Sequence, residues 1–457
     1  MANHTFHPSI LRAYDIRGIF GDTLTLADAW KVGLCFATCL ESRGYRNHVV
    51  VGRDGRLSSP ALSDALCNGL MAGGVRVSDI GCGPTPMLYY AGTVLGADGA
   101  IQVTGSHNPP DHNGFKMMMN GVVFFGDDIQ ELGKICTTGP KEKSGGSQEK
   151  TPIFDTYINR LVTDVETGNC TVVWDCGNGA SGPATIAATK KINGKHKILF
   201  GDIDGHFPNH HPNPVDPETL ITLRQAVAEF GADLGIGFDG DGDRIGIIDG
   251  KGRQVPGDFL TAFLAQNIGH RYPGAPIILD VKSSDIAMNL IAAAGGDAQI
   301  WKTGHSHMKT RMAAIKAPLA GEMSGHIFIR DGFYGFDDAL YVGLRVLSQM
   351  AETGESITDF MDKLPPQYAT PELRFDCPDD EKFSIIRSVA DYIKTKTDPI
   401  NLTLIDGVRV RVDGGWWLVR ASNTEAALVA RAEGKTPAIL AKLVKDIENA
   451  LSVAGLD

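Results

Sequence analysis

His48-Val49-Val50-Val51-Gly52-Arg53 reads as a buried strand, and the apolar residues after it, Leu62, Ala65, Leu66 and Leu70, fall on one helix face. Gly73-Gly74 stops that helix. Strands over Val75 to Ile80 and Ala100 to Val103 follow, each reached by a segment long enough to cross over to a parallel neighbour. This is α/β wiring. Residues 139–150 carry no apolar side chain and read as a linker, so a first domain spans 1–150. Beyond it, Thr151 and Pro152 read as the cap and first turn of a helix burying Phe154, Tyr157, Ile158, Leu161 and Val165. Strands at Thr171 to Asp175 and Asp233 to Phe238 bracket another helix, and a hairpin turning at Asp249-Gly250 closes a second domain, 151–254. A third round of helices and strands runs from Gly257 to Pro365-Pro366, giving a domain over 255–366. The remainder, 367–457, changes character. Strands from Asn401, Val408 and Trp416 are punctuated by Asp406-Gly407 and Asp413-Gly414-Gly415, and Thr436-Pro437 starts a closing amphipathic helix. The expectation is three similar α/β domains followed by a smaller α+β domain.

The chain has 457 residues, with 43 Lys plus Arg against 54 Asp plus Glu and a net charge of −11, which argues against a bulk nucleic-acid-binding surface. No apolar run has the ~18 residues of a spanning helix. The amino end lacks the basic and apolar regions of an export signal, so neither a membrane nor a secretory destination is expected. Eight dispersed cysteines fit neither a disulfide framework nor paired zinc ligands; they read as reduced thiols of a cytoplasmic protein. Glycine is abundant, 54 residues, and much of it flanks Asp, Ser, His or Asn, which places polar groups on tight loops.

Four such loops carry the chemistry. Thr104-Gly105-Ser106-His107-Asn108-Pro109-Pro110 follows directly on a buried strand, at the strand end where ligands bind in open α/β sheets, and exposes Ser106 as a candidate nucleophile. The same loop also reads as a strand-end turn in which Ser106 and Asn108 only satisfy backbone donors. It is not a hydrolase elbow, because Ser106 is followed by His-Asn and not by x-Gly. Gly237-Phe238-Asp239-Gly240-Asp241-Gly242-Asp243-Arg244 sets three carboxylates at alternate positions, and a hard divalent cation such as Mg²⁺ relieves their repulsion. A calcium loop is excluded: counted from Asp239, Arg244 stands where the turn glycine belongs and Gly250 where the bidentate Glu belongs. Gly321-Glu322-Met323-Ser324-Gly325-His326 offers closely spaced donors and acceptors suited to sugar hydroxyls. Arg420-Ala421-Ser422-Asn423-Thr424-Glu425 suits a phosphate, or else a simple turn between strands.

In this order and combination the four loops resemble those of the α-D-phosphohexomutases, in particular the phosphomannomutase/phosphoglucomutase branch. Tyr14-Asp15-Ile16-Arg17-Gly18, Gly52-Arg53-Asp54-Gly55-Arg56, Asn113-Gly114-Phe115-Lys116, Asp280-Val281-Lys282 and Lys302-Thr303-Gly304-His305 extend the likeness over nearly the whole chain. The resemblance implies four domains around a central cleft. It implies phosphate carried on Ser106, one Mg²⁺ held by Asp239, Asp241 and Asp243 with the Ser106 group, and transfer between O1 and O6 of glucose or mannose through a hexose 1,6-bisphosphate. Glu322 and Ser324 would grip sugar hydroxyls. Arg420, Ser422, Asn423 and Thr424 would hold the other phosphate, with Tyr14 alongside, while Arg17, Lys116, Arg244, Lys282 and His305 supply positive potential. His326, Lys116 and His107 are the candidates for proton transfer, His326 first.

Rival readings are an aspartyl-phosphate enzyme using Asp239-x-Asp241, a silent sugar-phosphate sensor, and a phosphoglucosamine mutase. Met323 speaks against the last, whose loop usually carries Gln there. His210-His211 sits among Pro and Asn and reads as a rigid loop in preference to a zinc site; Met117-Met118-Met119 reads as strand packing; Asn401-Leu402-Thr403 matches a glycosylation acceptor without an export signal beside it.

Overall fold

The computed structural model describes residues 4–423 and 426–456. Its strands fall into four sheets. In the first, Ile16–Ile19, His112–Met119, Gly99–Val103, His48–Arg53, Arg76–Cys82 and Ser147–Lys150 lie side by side, with Val122–Val123 added to His112–Met119. The second runs Gln254–Val255, Ile245–Asp249, Leu234–Phe238, Thr171–Asp175 and Lys195–Leu199; the third runs Asp297–Trp301, Pro276–Asp280, Leu319–Gly321 and Ile327–Ile329. All three have parallel strands at the centre and share an antiparallel junction beside them, where Gly99–Val103 meets His112–Met119, Leu234–Phe238 meets Ile245–Asp249, and Leu319–Gly321 meets Ile327–Ile329. The Ser106, Asp239 and Glu322 loops each span that junction. The three similar α/β domains expected from the sequence thus share one topology, which delivers one polar loop per domain to equivalent sheet ends.

The fourth sheet is antiparallel, with Ala427–Gly434 and Gly415–Ala421 at its centre and the helices Lys382–Lys394 and Pro437–Val453 packed on it. The closing helix is capped as expected: the Thr436 side chain accepts from Ile439 N, and Pro437 takes a first-turn position where no N–H is needed. The fold is thus three α/β domains and a C-terminal α+β domain. One continuous apolar core runs from Met87–Ala91 through Trp174, Ile236 and Phe263 to Leu344, joining the first three domains. The fourth has its own core around Trp417, Val419 and Leu443, and meets the third through the small cluster Val281, Trp416 and Leu418. No helix among the described residues is long and apolar enough to cross a membrane.

Two local expectations fail. Ser147–Lys150, within the apolar-free stretch, is an exposed strand paired to Arg76–Cys82, because an open sheet edge needs only backbone partners. Thr151 does not cap the next helix: its N–H donates to Asp79 O at 2.8 Å, prolonging that pairing, and the helix begins at Phe154 after Pro152.

Candidate active site

Ser106 ends in the left-handed region, φ +50°, and is 2% exposed. Its amide donates to Thr104 Oγ1 at 2.9 Å, Thr104 Oγ1 donates to Asp54 Oδ2 at 2.8 Å, and Ser106 Oγ donates to Asp239 Oδ2 at 2.8 Å. The serine and aspartate loops approach so closely that a Cβ on Gly240 would sit 2.4 Å from Ser106 O; only glycine fits there.

Asp239, Asp241 and Asp243 are fully buried, with carboxylate oxygens within 4.8 Å of one another. Asp239 Oδ1 accepts from the amides of Gly242, Asp243 and Arg244 at 2.9, 3.1 and 3.2 Å, which curls the loop on itself. Asp241 Oδ2 accepts from Thr85 Oγ1 at 2.5 Å and from Lys116 Nζ at 2.7 Å, and Lys116 also reaches Asp243. Burial and the two neighbouring aspartates push the Asp239 carboxyl well above its ordinary range. Burial also pushes Asp241 up, but Lys116 outweighs it and holds that carboxyl low; Lys116 in turn stays protonated because Asp241 and Asp243 overcome its own desolvation. Asp241 Oδ1 and Asp243 Oδ1 remain buried without a hydrogen-bond partner. Three clustered carboxylates, an excess of negative charge and two unpartnered oxygens fit a hard divalent cation.

Glu322 is buried, accepts from Gly304 N at 2.5 Å and from Ser324 Oγ at 3.4 Å, and has its carboxyl pushed up by desolvation. His326 stacks on His305 with ring centroids 5.2 Å apart. Its Nε2 accepts from Arg244 Nε at 3.0 Å, which puts the ring proton on Nδ1, 2.9 Å from Asp337 Oδ2. Burial pushes Asp337 up, yet Lys309 and His326 together hold it well below the usual carboxylate range. The neutral form of His107 is favoured by burial and by Arg244 and Arg17 nearby. Arg17 is held by Asp15 at 2.6 Å and Asn108 at 3.2 Å, and Lys282 by Glu372 at 3.3 Å. Arg420 pairs with Asp406 at 3.1 Å, and Asp406 also accepts from Thr303 N at 3.0 Å. Tyr14 OH donates to Thr303 O at 3.0 Å and accepts from Asn423 Nδ2, bridging the first, third and fourth domains.

These groups surround a cleft of about 850 Å³. Tyr14, Arg17, Ser106, His107, Lys116, Arg244, Lys282, His305, Glu322, Ser324, His326, Arg420, Ser422 and Asn423 all line it, and the three aspartates lie behind Ser106 and Lys116. Thr424 falls outside the described residues. Asp239 is a poor nucleophile here, since Ser106 and three amides occupy both its oxygens. His210 bonds Asp175 at 3.0 Å and joins no cluster of metal-ligating groups among the described residues. Met117 and Met119 are buried in a strand, as expected. Sequence reading assigned no role to Asp54, Arg56, Thr85, Asp337 or Asp406. For Asp54 and Arg56 the signal was their place in the Gly52–Arg56 stretch that extends the family likeness, and for Asp406 its place in a hairpin turn; Thr85 and Asp337 carried none.

Residues 8–143, 155–252, 256–368 and 372–450 match, in turn, phosphoglucomutase/phosphomannomutase alpha/beta/alpha domains I, II and III and the C-terminal domain of the same family. The chain belongs to the phosphoglucomutase/phosphomannomutase family. The phosphomannomutase/phosphoglucomutase of Pseudomonas putida is 44% identical over 442 residues, 96% of this chain and 94% of that one. The phosphoglucomutase of Neisseria gonorrhoeae is 38% identical over 439 residues, 95% of each. A crystal structure of a phosphoglucomutase/phosphomannomutase family protein from Burkholderia thailandensis superposes with a TM-score of 0.93 at 39% identity and 99% coverage of both chains.

Proposed function

We propose that the protein is a phosphomannomutase/phosphoglucomutase, an isomerase that moves phosphate reversibly between O1 and O6 of mannose or glucose by way of phospho-Ser106 and a hexose 1,6-bisphosphate. The observation that carries this reading is Ser106, buried and in a left-handed backbone conformation, with its Oγ bonded to Asp239 of the aspartate trio on the wall of a cleft that the three other polar loops also reach. Asp239, Asp241 and Asp243, with an oxygen of the Ser106 phosphate, would hold Mg²⁺, which when bound offsets negative charge on the phosphoryl group in transfer. The chain's own residues do the rest. Arg420, Ser422, Asn423 and Thr424 take the phosphate that is not being transferred. Glu322 accepts from a sugar hydroxyl and Ser324 bonds a second. If these are O3 and O4, which are alike in both sugars, the same grip serves glucose and mannose and both orientations of the bisphosphate. His326, oriented by Asp337, takes the proton from the attacking hydroxyl at Nε2 once substrate displaces Arg244. Lys116, Arg17 and Lys282 keep the cleft positive in an acidic chain. Eight free thiols accord with a reducing, cytoplasmic setting.

Peptide mapping of active enzyme tests the reading. Acid-stable, hydroxylamine-resistant phosphate is expected on Ser106, and Ser106→Ala is expected to abolish interconversion of glucose or mannose 1- and 6-phosphates. Hydroxylamine-labile phosphate on an aspartate, or active enzyme that never carries phosphate, would overturn it.

A further inference from the structure

Arg56 has no place in the reaction as described, yet its guanidinium is almost wholly buried beneath the serine loop. Nη2 donates to Ser106 O at 2.7 Å and Asn108 O at 2.6 Å, while Nη1 donates to Pro109 O at 2.5 Å and His112 O at 2.9 Å. Four main-chain carbonyls on the C-terminal side of the loop are gathered by one planar fork. On the N-terminal side, Asp54 accepts from Thr104 Oγ1 at 2.8 Å and Gly105 N at 3.2 Å, and it also accepts from Arg56 N at 3.0 Å. The guanidinium carbon lies 5.2 Å from the ring centroid of Phe207, on the domain that carries the aspartate trio. Ser106 sits in a backbone conformation that costs roughly 1–3 kcal/mol and persists only when its surroundings over-determine it. Asp54 and Arg56 together supply that determination.

We propose that Arg56 is a positioning residue for phosphoryl transfer: by clamping the carbonyls from Ser106 to His112 it holds Ser106 Oγ against the aspartate trio. The proposal deepens the reading of Ser106 as phosphate carrier and rests on it. Lysine cannot substitute, because a single ammonium cannot bond four carbonyls in a plane. A misplacement of about 1 Å at a reacting group costs ~100-fold in rate. Arg56→Lys and Arg56→Gln are therefore expected to lower kcat about 100-fold while KM for hexose phosphate stays within about threefold, since the sugar and phosphate loops lie on other domains. Activity is expressed per phosphorylated Ser106, so loss of folded enzyme does not mimic the effect. Faster loss of phosphate from Ser106 to water is expected in both variants. Rescue by Lys, a kcat within about threefold of wild type, or KM rising as much as kcat falls would overturn the proposal. Should neither variant fold, hydrogen exchange on the wild-type enzyme decides: amides 105, 106 and 108 must be protected like those of Gly99–Val103, and rapid exchange there rejects the clamp. A wild-type enzyme without phosphate on Ser106 would refute the function itself, independently of Arg56.

Discussion

Replacing Thr85 by valine isolates a contact that crosses two domains. Thr85 Oγ1 donates to Asp241 Oδ2 at 2.5 Å, its amide donates to Asp241 O at 2.8 Å, and both residues are fully buried. Valine keeps the shape and the amide bond and removes only the hydroxyl. Asp241 then retains Lys116 as the sole donor to Oδ2, so the carboxylate loses one of the two bonds that fix its orientation beside Asp239 and Asp243. A hydrogen bond to a charged group is worth about 1.5–3 kcal/mol. At ~1.4 kcal/mol per factor of ten, its loss weakens cation binding by about 10- to 100-fold, the range seen when partners of metal ligands are removed. Initial rates at saturating sugar phosphate, measured against Mg²⁺ concentration, should show half-saturation moved upward by that factor with maximal rate largely recovered at high Mg²⁺. An unchanged half-saturation point refutes the reasoning, whatever happens to overall activity. So does a variant that is less thermostable but binds the cation normally.

Arg420→Ala removes a buried guanidinium whose protein partner is Asp406, and Asp406 keeps its bond from Thr303 N; KM for hexose phosphates should rise about 10- to 100-fold with a smaller change in kcat, and a KM within about threefold of wild type contradicts a phosphate-binding role. Asp338, buried at the start of helix Ala339–Thr353 and bonded by Tyr157 OH at 2.9 Å, is pushed up to about 7 by desolvation. Its folded value exceeds the unfolded 3.8, so between these pH values the folded chain holds a proton that the unfolded chain has lost, and stability falls as pH rises through that window. The span is worth about 4 kcal/mol at most. Asp338→Asn keeps the cap without the charge, so urea midpoints should show the variant gaining on wild type between about pH 4 and about pH 7; a difference that is constant with pH rejects the assignment.

Central strands were legible because a strand covered on both faces is a continuous apolar run. His48–Arg53, Thr171–Asp175 and Pro276–Asp280 announce themselves in this way. Ser147–Lys150 could not, since all four of its side chains are exposed and only the neighbouring backbone makes it a strand. Ala427–Gly434, also unforeseen, is buried along its whole length yet carries Arg431 and Glu433, so neither alternation nor an apolar run marks it. Their charges are satisfied by other segments: Arg431 donates to Lys282 O at 2.7 Å, and Glu433 accepts from Ser284 Oγ at 2.7 Å.

The local chain determined the chemistry available: a serine set on tight turns, three closely spaced carboxylates that suit a cation, and two further loops of donors and acceptors. Each is a short-range property of residue type and spacing. Only the tertiary structure decided which groups would face one another. Ser106 meets Asp239, Thr85 meets Asp241, Arg244 meets the ring of His326, and Asn423 meets Tyr14 because separate domains converge on one cleft. No local pattern encodes such contacts; they arise from packing a shared apolar core beneath three loops and closing a fourth domain over them.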